Sequence, residues 1–158
     1  MKQDTLETIS SRLTSLHETV ATAESVTAGL VTTTMSRAQN ATRFLQGGII
    51  VYNLGQKTKH LSVDPIHAEE TNCVSAEVAV QMALEVARKF CCHWGIAITG
   101  YAAPVPALKI KTCFAYYAIA HNGEIVLSAR LDTRLAGQGR VQQYYVDKVL
   151  EAFRARLS

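Results

Sequence analysis

Apolar positions recur along the chain with two different periods. Leu6, Ile9, Leu13 and Leu16 follow at three- and four-residue steps, which predicts a helix from Asp4 to about His17 with these side chains as its buried stripe. Asp4 is the expected N-cap, with Glu7 at the capping-box position three residues later. Thr19-Val-Ala-Thr-Ala23 is short and β-branched and reads as a strand. It runs into Glu24, Ser25, Val26, Thr27, Ala28 and Gly29, then into a helical segment ending near Arg37. Gly47-Gly-Ile-Ile-Val-Tyr52 reads as a buried strand, apolar on both faces, and Lys57 to Leu61 as a short helical turn.

The clearest helix spans Ser75 to about Cys92. Ser75 caps it, Glu77 suits the positive first turn, and Val78, Met82, Val86 and Phe90 with Ala79, Ala83 and Ala87 form one broad apolar face. Trp94-Gly-Ile-Ala-Ile-Thr99 reads as another buried strand ending at Gly100, followed by a Pro- and Ala-rich loop from Tyr101 to about Lys111. Two strands, Thr112 to Ala120 and Glu124 to Leu131, flank Asn122-Gly123, a pair suited to a tight primed turn. The closing helix runs from about Gly139 to Leu157, with Val146, Val149, Leu150, Phe153 and Leu157 toward the core. Helices alternate with buried strands except at one antiparallel hairpin. The expected fold class is therefore α/β, three layers, with a mixed, mostly parallel sheet.

Length and charge narrow the function classes. The 158 residues, 48% hydrophobic and 18% charged, fit a single domain over 1–158. Sixteen Lys and Arg against thirteen Asp and Glu give +3 with the signs interspersed, which argues against a nucleic-acid partner. Gly100, Pro104, Pro106, Lys109 and Lys111 interrupt the most apolar stretch, so no membrane-spanning run is expected. The first thirteen residues lack the apolar core of a signal peptide, and the expected location is the cytoplasm. Cys73, Cys91, Cys92 and Cys113 lack metal-binding spacing and read as reduced thiols. No histidine pair has ligand spacing, and His17, His60, His67, His93 and His121 read as surface or cap residues. Glu69-Glu70 reads as solvated charge. Oligomeric state is not written in any pattern; a homodimer is expected only as the commonest soluble oligomer.

Candidate chemistry gathers at strand ends. Ser25 lies where a strand passes toward a helix, where unpaired backbone N–H groups hold an anion or a developing oxyanion. It is a candidate nucleophile or, with Thr27, a plain helix cap. Tyr52 and Lys57 follow the next strand, and crevices in open α/β sheets lie outside the carboxyl ends of strands. A lysine serves as base only when burial or nearby positive charge lowers its pKa; otherwise Lys57 is an ordinary exposed lysine. Tyr52 reads equally as a core aromatic with its hydroxyl at the rim. Thr99-Gly100 offers backbone that a ligand approaches closely.

Taken in order, Ala23-Glu-Ser-Val-Thr-Ala-Gly-Leu30, Phe44-Leu-Gln-Gly-Gly-Ile-Ile-Val-Tyr52, Lys57, Val74-Ser-Ala-Glu-Val78 and Ile98-Thr-Gly100 resemble the C-terminal domain of the CinA competence/damage-inducible family, from about residue 5 to 156. The resemblance implies hydrolysis of nicotinamide mononucleotide, a small-molecule substrate, to nicotinate mononucleotide and ammonia, with no metal or organic cofactor. By the same resemblance Ser25 is the nucleophile, Lys57 its base and later proton donor, and Tyr52 their hydrogen-bonding partner. Glu24, Thr27, Gly29, Gly48, Thr99, Gly100 and Arg140 form the expected substrate-binding set. The chain also departs from the family pattern. Val26 and Ala28 stand in the family's E-S-C-T-G-G, and any positive φ at Ala28 is penalised. Residues 99–113 lack several glycines, and Pro106 removes an amide donor. Gln138 and Gln142 occupy places of family arginines, leaving Lys109, Lys111 and Arg140 as candidate phosphate ligands. These departures keep open a second reading, a catalytically silent relative that binds a small ligand or a protein.

Overall fold

The computed structural model describes residues 3–157. Helix α1 spans Gln3–Leu16, strand β1 Val20–Glu24, helix α2 Leu30–Ser36 and strand β2 Leu45–Ile50. Helices α3 (Leu54–Leu61), α4 (Pro65–Glu70) and α5 (Ala76–Lys89) lead to strand β3 (Trp94–Gly100). The hairpin strands β4 (Cys113–His121) and β5 (Glu124–Thr133) precede the last helix, α6 (Gln138–Arg156). The sheet order is β2-β1-β3-β4-β5, with β1 parallel to β2 and β3 and the remaining pairs antiparallel. This is the expected mixed α/β sheet, parallel at one end and antiparallel at the other.

Strand alternation divides the core in two. Val20, Ile96, Ile98 and Ile119 face a cluster with Ile9 and Leu13 of α1, Val31 and Met35 of α2, and Val146, Val149 and Phe153 of α6. Ala21, Ala23, Ala97, Ala118 and Ala120 face the other layer, with Leu61, Ala68, Met82 and Val86 of α3 to α5. Small residues on that face let α5 approach the sheet closely; a Cβ at Gly95 would collide with the Ala83 carbonyl oxygen. Between β4 and β5, Asn122 and Gly123 have φ of 51° and 84°, as a primed turn requires.

Four local expectations change. Helix α1 already includes Gln3, so Asp4 lies in its first turn and pairs with Arg154 at 3.1 Å rather than standing as N-cap. Leu16 is 52% exposed at the end of α1 and does not join the buried stripe. Strand β2 is not buried on both faces: it is the sheet edge, alternates half-buried and exposed positions, and leaves Ile50 exposed. Helix α4 is an addition, started by the Asp64 side chain accepting from the Ile66 amide and by Pro65 in the first turn.

The topology places a crevice. The chain leaves β1 for β2 on one side, then returns to β3 on the other, so the carboxyl end of β1 is a switch point where connections diverge. Ser25 follows β1 directly, Val51 and Tyr52 follow β2, and Thr99 and Gly100 end β3.

Candidate active site

Glu24 organises the turn that carries Ser25. Its side chain is 1% exposed and accepts from Thr27 Oγ1 at 2.6 Å, the Gly29 amide at 3.0 Å and the Val31 amide at 3.0 Å through one oxygen. The other oxygen accepts from the Thr32 amide and hydroxyl, each at 2.7 Å. Such a set of donors compensates a buried carboxylate that no cation pairs with among the described residues. The free amides that begin α2 are thereby consumed, and they hold no oxyanion or phosphate. Four turn residues also separate Ser25 from α2, so the nucleophile candidate does not sit on the helix end itself. Ala28 has φ of 49° and Gly29 φ of 97°, which puts an alanine in the left-handed region that favours glycine.

The backbone fixes Ser25 from the other side, its amide donating to the Ile98 carbonyl at 3.1 Å. Among the described residues no internal acceptor takes the N–H of Val26 or Thr27. These two amides beside the serine, rather than the start of α2, are the unpaired donors of the turn.

Lys57 enters from α3. The Asn53 side chain caps that helix by accepting from the Gln56 amide at 3.0 Å, and the first turn directs Lys57 inward. Lys57 is 1% exposed, contrary to the ordinary behaviour of lysine. Its Nζ lies 2.9 Å from Ser25 Oγ and donates to the Val51 carbonyl at 3.0 Å; no carboxylate pairs with it among the described residues. Burial pushes its pKa below the ordinary lysine value of 10.5, with Cys73 acting in the opposite sense.

A cavity of about 490 Å³ opens on this pair. Thr99, Gly100, Tyr101 and Ala102 come from the end of β3, Tyr52, Asn53 and Leu54 from the start of α3, and Gln138 from α6. Tyr52 is 61% exposed and lines this opening, so it is neither a core aromatic nor hydrogen-bonded to Ser25 or Lys57. Thr99 spends its hydroxyl on the Cys73 carbonyl at 2.7 Å, and a Cβ at Gly100 would press on the backbone of β4.

The structure therefore brings together Ser25, Tyr52, Lys57, Thr99 and Gly100 of the sequence-selected residues. Glu24, Thr27, Gly29, Gly48 and Arg140 lie outside the cavity lining. Gly48 instead makes room for the Thr22 and Thr32 hydroxyls, which a Cβ there would strike. Arg140 is exposed, as are Lys109 and Lys111, and none of the three lines the cavity. Glu69, Asn72, Cys73 and Gln138 line it without having been selected from sequence. The Asp-Pro pair that starts α4 was the available sequence signal for the helix that carries Glu69.

Comparison with known proteins follows the same chain length. The family model described as CinA C-terminal domain matches residues 2–157. A CinA-like protein of Thermosynechococcus vestitus is 37% identical over 127 residues, covering 78% of this chain and 30% of that protein. A CinA-like protein of Solibacter usitatus is 30% identical over 158 residues, covering 98% of this chain and 37% of that protein. The chain thus spans 30% and 37% of the length of these two relatives. Among solved structures, a CinA superfamily protein from Enterobacter cloacae gives a TM-score of 0.90 at 23% identity, covering 99% of this chain and 92% of that one. A competence or damage-inducible protein from Enterobacter asburiae gives 0.86 at 26% identity, covering 99% and 98%. At these identities the structural matches speak to the fold.

Proposed function

Because the chain belongs to the CinA C-terminal domain family, we propose that it is an amidohydrolase acting on the carboxamide of nicotinamide mononucleotide or a related amide. The observation that carries this reading is the buried Lys57 amine 2.9 Å from the Ser25 hydroxyl oxygen, with no carboxylate paired to it among the described residues. A neutral amine has two hydrogens and one lone pair. One N–H goes to the Val51 carbonyl, and the lone pair is left for the Ser25 proton.

The steps follow from that geometry. Ser25 Oγ attacks the carboxamide carbon while Lys57 takes its proton. The carbonyl oxygen gains negative charge, for which the Val26 and Thr27 amides are the available donors. Lys57 returns the proton to the departing nitrogen, ammonia leaves, and an ester remains on Ser25. Water, deprotonated by the same amine, then releases the acid and restores the serine. The reaction so written uses no cofactor.

The altered loop supports a second reading, a silent relative that binds a ligand without turning it over. Val105 and Ile110 form an isolated bridge, and a 3-10 turn at Pro106–Leu108 folds the loop upon itself. One assay separates the two readings. The full chain is incubated with nicotinamide mononucleotide and simpler pyridine carboxamides while ammonia and the carboxylate product are measured, with Ser25→Ala as control. Product from the wild type and none from the variant is expected; no product from any amide at high enzyme concentration rules out hydrolysis.

A further inference from the structure

Helix α6 meets the site along one stripe. Gln138 lines the cavity, Gln142 donates its side-chain amide to the Val26 carbonyl at 2.8 Å, and Tyr145 donates its hydroxyl to the Tyr101 carbonyl at 2.9 Å. Steps of four and three residues put all three on one face of the helix. The Tyr145 bond holds the chain just past β3, and the Gln142 bond reaches the turn that carries Ser25.

The Val26 carbonyl and the Thr27 N–H belong to one peptide unit. That unit is planar and trans, so its C=O and N–H point in opposite directions. Gln142 draws the carbonyl toward α6, whose side chains pack on the Val20 and Ile96 face of the sheet. The Thr27 N–H is thereby turned away from α6, toward the layer of α3, which brings Lys57 to Ser25.

The neighbouring peptide units are already bonded. The Glu24 carbonyl accepts from the Val51 amide at 2.9 Å, the Ser25 amide donates to Ile98, and the Ser25 carbonyl accepts from the Ala28 amide at 3.1 Å. This last bond closes a four-residue turn whose central residues are Val26 and Thr27, and the peptide between them is the one whose orientation separates turn types I and II. Among the described residues Gln142 is its one hydrogen-bond partner. Thr27 has a negative φ, whereas the flipped peptide requires a positive one at this β-branched residue. Thr27 and Gln142 therefore favour the same orientation, and the bond to the carbonyl also polarises the N–H at the other end of the peptide.

Resting on the hydrolytic reading of Ser25 and Lys57, we propose that Gln142 is a positioning residue for that reaction: by bonding the Val26 carbonyl, it directs and polarises the Thr27 N–H as a donor to the oxygen that gains charge when Ser25 attacks a carboxamide. Gln142 itself lies outside the cavity lining and acts through the turn. Its effect belongs to the transition state, because the oxygen becomes negative only as the bond to Ser25 forms.

The test compares the full chain with Gln142→Met, which keeps the length of the side chain and removes its amide, and with Gln142→Glu, which sets a carboxylate against the Val26 carbonyl. Ammonia release from nicotinamide mononucleotide and from nicotinamide is measured with Ser25→Ala as control. Complete loss of an oxyanion donor costs about 10²–10³ in kcat, so a misdirected one is expected to lower kcat about tenfold or more, with KM within about twofold of wild type. A second readout is inhibition by pyridine-3-boronic acid. Its boron accepts the Ser25 Oγ electron pair while the hydroxyl proton passes to Lys57, giving a tetrahedral anion, and its affinity is expected to fall by the same factor as kcat. An unchanged kcat in both variants overturns the proposal. A raised KM at unchanged kcat, or a fall in kcat with boronate affinity intact, also overturns it. Unfolding of both variants, followed by circular dichroism, assigns Gln142 to the fold alone and overturns it as well. If the wild type hydrolyses neither amide, the hydrolytic reading fails first and the role of Gln142 falls with it.

Discussion

Lys57 Nζ lies 2.9 Å from Ser25 Oγ although 32 positions separate the two residues in sequence. The turn after β1 and the first turn of α3 meet only because β1 and β2 are parallel neighbours whose carboxyl ends share one edge. Under the proposed mechanism, Ser25→Ala removes the nucleophile while the backbone bond from its amide to the Ile98 carbonyl stays in place. Ser25→Ala is expected to lower kcat by about a thousandfold or more while the melting temperature stays within a few degrees of wild type. Calorimetry alongside the amide assay checks both halves.

Lys57 couples activity and stability with opposite signs. Its pKa in the folded chain is below the ordinary value of 10.5 because burial disfavours the ammonium. As pH falls below 10.5, the unfolded chain takes up a proton that the folded chain refuses. The folded state loses stability until the folded pKa is passed, after which the deficit is constant. Lys57→Met should abolish turnover and raise stability by about 0.5–2 kcal/mol at neutral pH, with the gain shrinking toward pH 10.5. Urea midpoints of both proteins across that range measure it.

The same ionisation governs rate. Only the neutral amine accepts the serine proton, so kcat/KM should rise with pH along a limb whose midpoint is the folded Lys57 pKa, below 10.5. A pH–rate profile with its rising limb at or above 10.5 contradicts Lys57 as the base.

Glu24 acts through the turn and not on the ligand. Glu24→Gln exchanges one oxygen acceptor for an NH₂ group facing amides and hydroxyls that already donate. The expected cost is about 2–4 kcal/mol of unfolding free energy, with any residual activity falling because Ser25 loses its seat. Denaturant unfolding reports the first effect and kcat at saturating substrate the second.

Ala28 is a position where a smaller residue should help. With φ of 49° it pays for its Cβ in the left-handed region. Ala28→Gly relieves that strain and gives back part of the gain through the freer unfolded chain, a net of up to about 1 kcal/mol. A lower urea midpoint in the variant would show that the turn does not strain the alanine.

How far the sequence could be read depends on whether the information was local. Helix α5 was legible from Ser75 and its apolar face, and the β4–β5 hairpin from Asn122-Gly123, because caps, periods and turns act over a few residues. Ser25 and Lys57 could be singled out by position and by resemblance. That Lys57 is buried and Tyr52 is exposed depends on how α3 lies over the sheet, and no short-range pattern carries that. Strand β2 looked fully buried because Ile49, Ile50 and Val51 are all apolar, whereas its edge position is a property of strand order. Glu24 resembled a ligand-binding carboxylate because its five close donors come from Thr27, Gly29, Val31 and Thr32, which converge only once the turn has formed.

The most direct measurement is the intact mass of the protein quenched during turnover of a pyridine carboxamide. Catalysis by Ser25 and Lys57 predicts a fraction of the chain heavier by the acyl group, with the added mass mapping to the peptide containing Ser25 and absent from Ser25→Ala. Turnover that continues unchanged in Ser25→Ala, with no acylated chain in either protein, would contradict it.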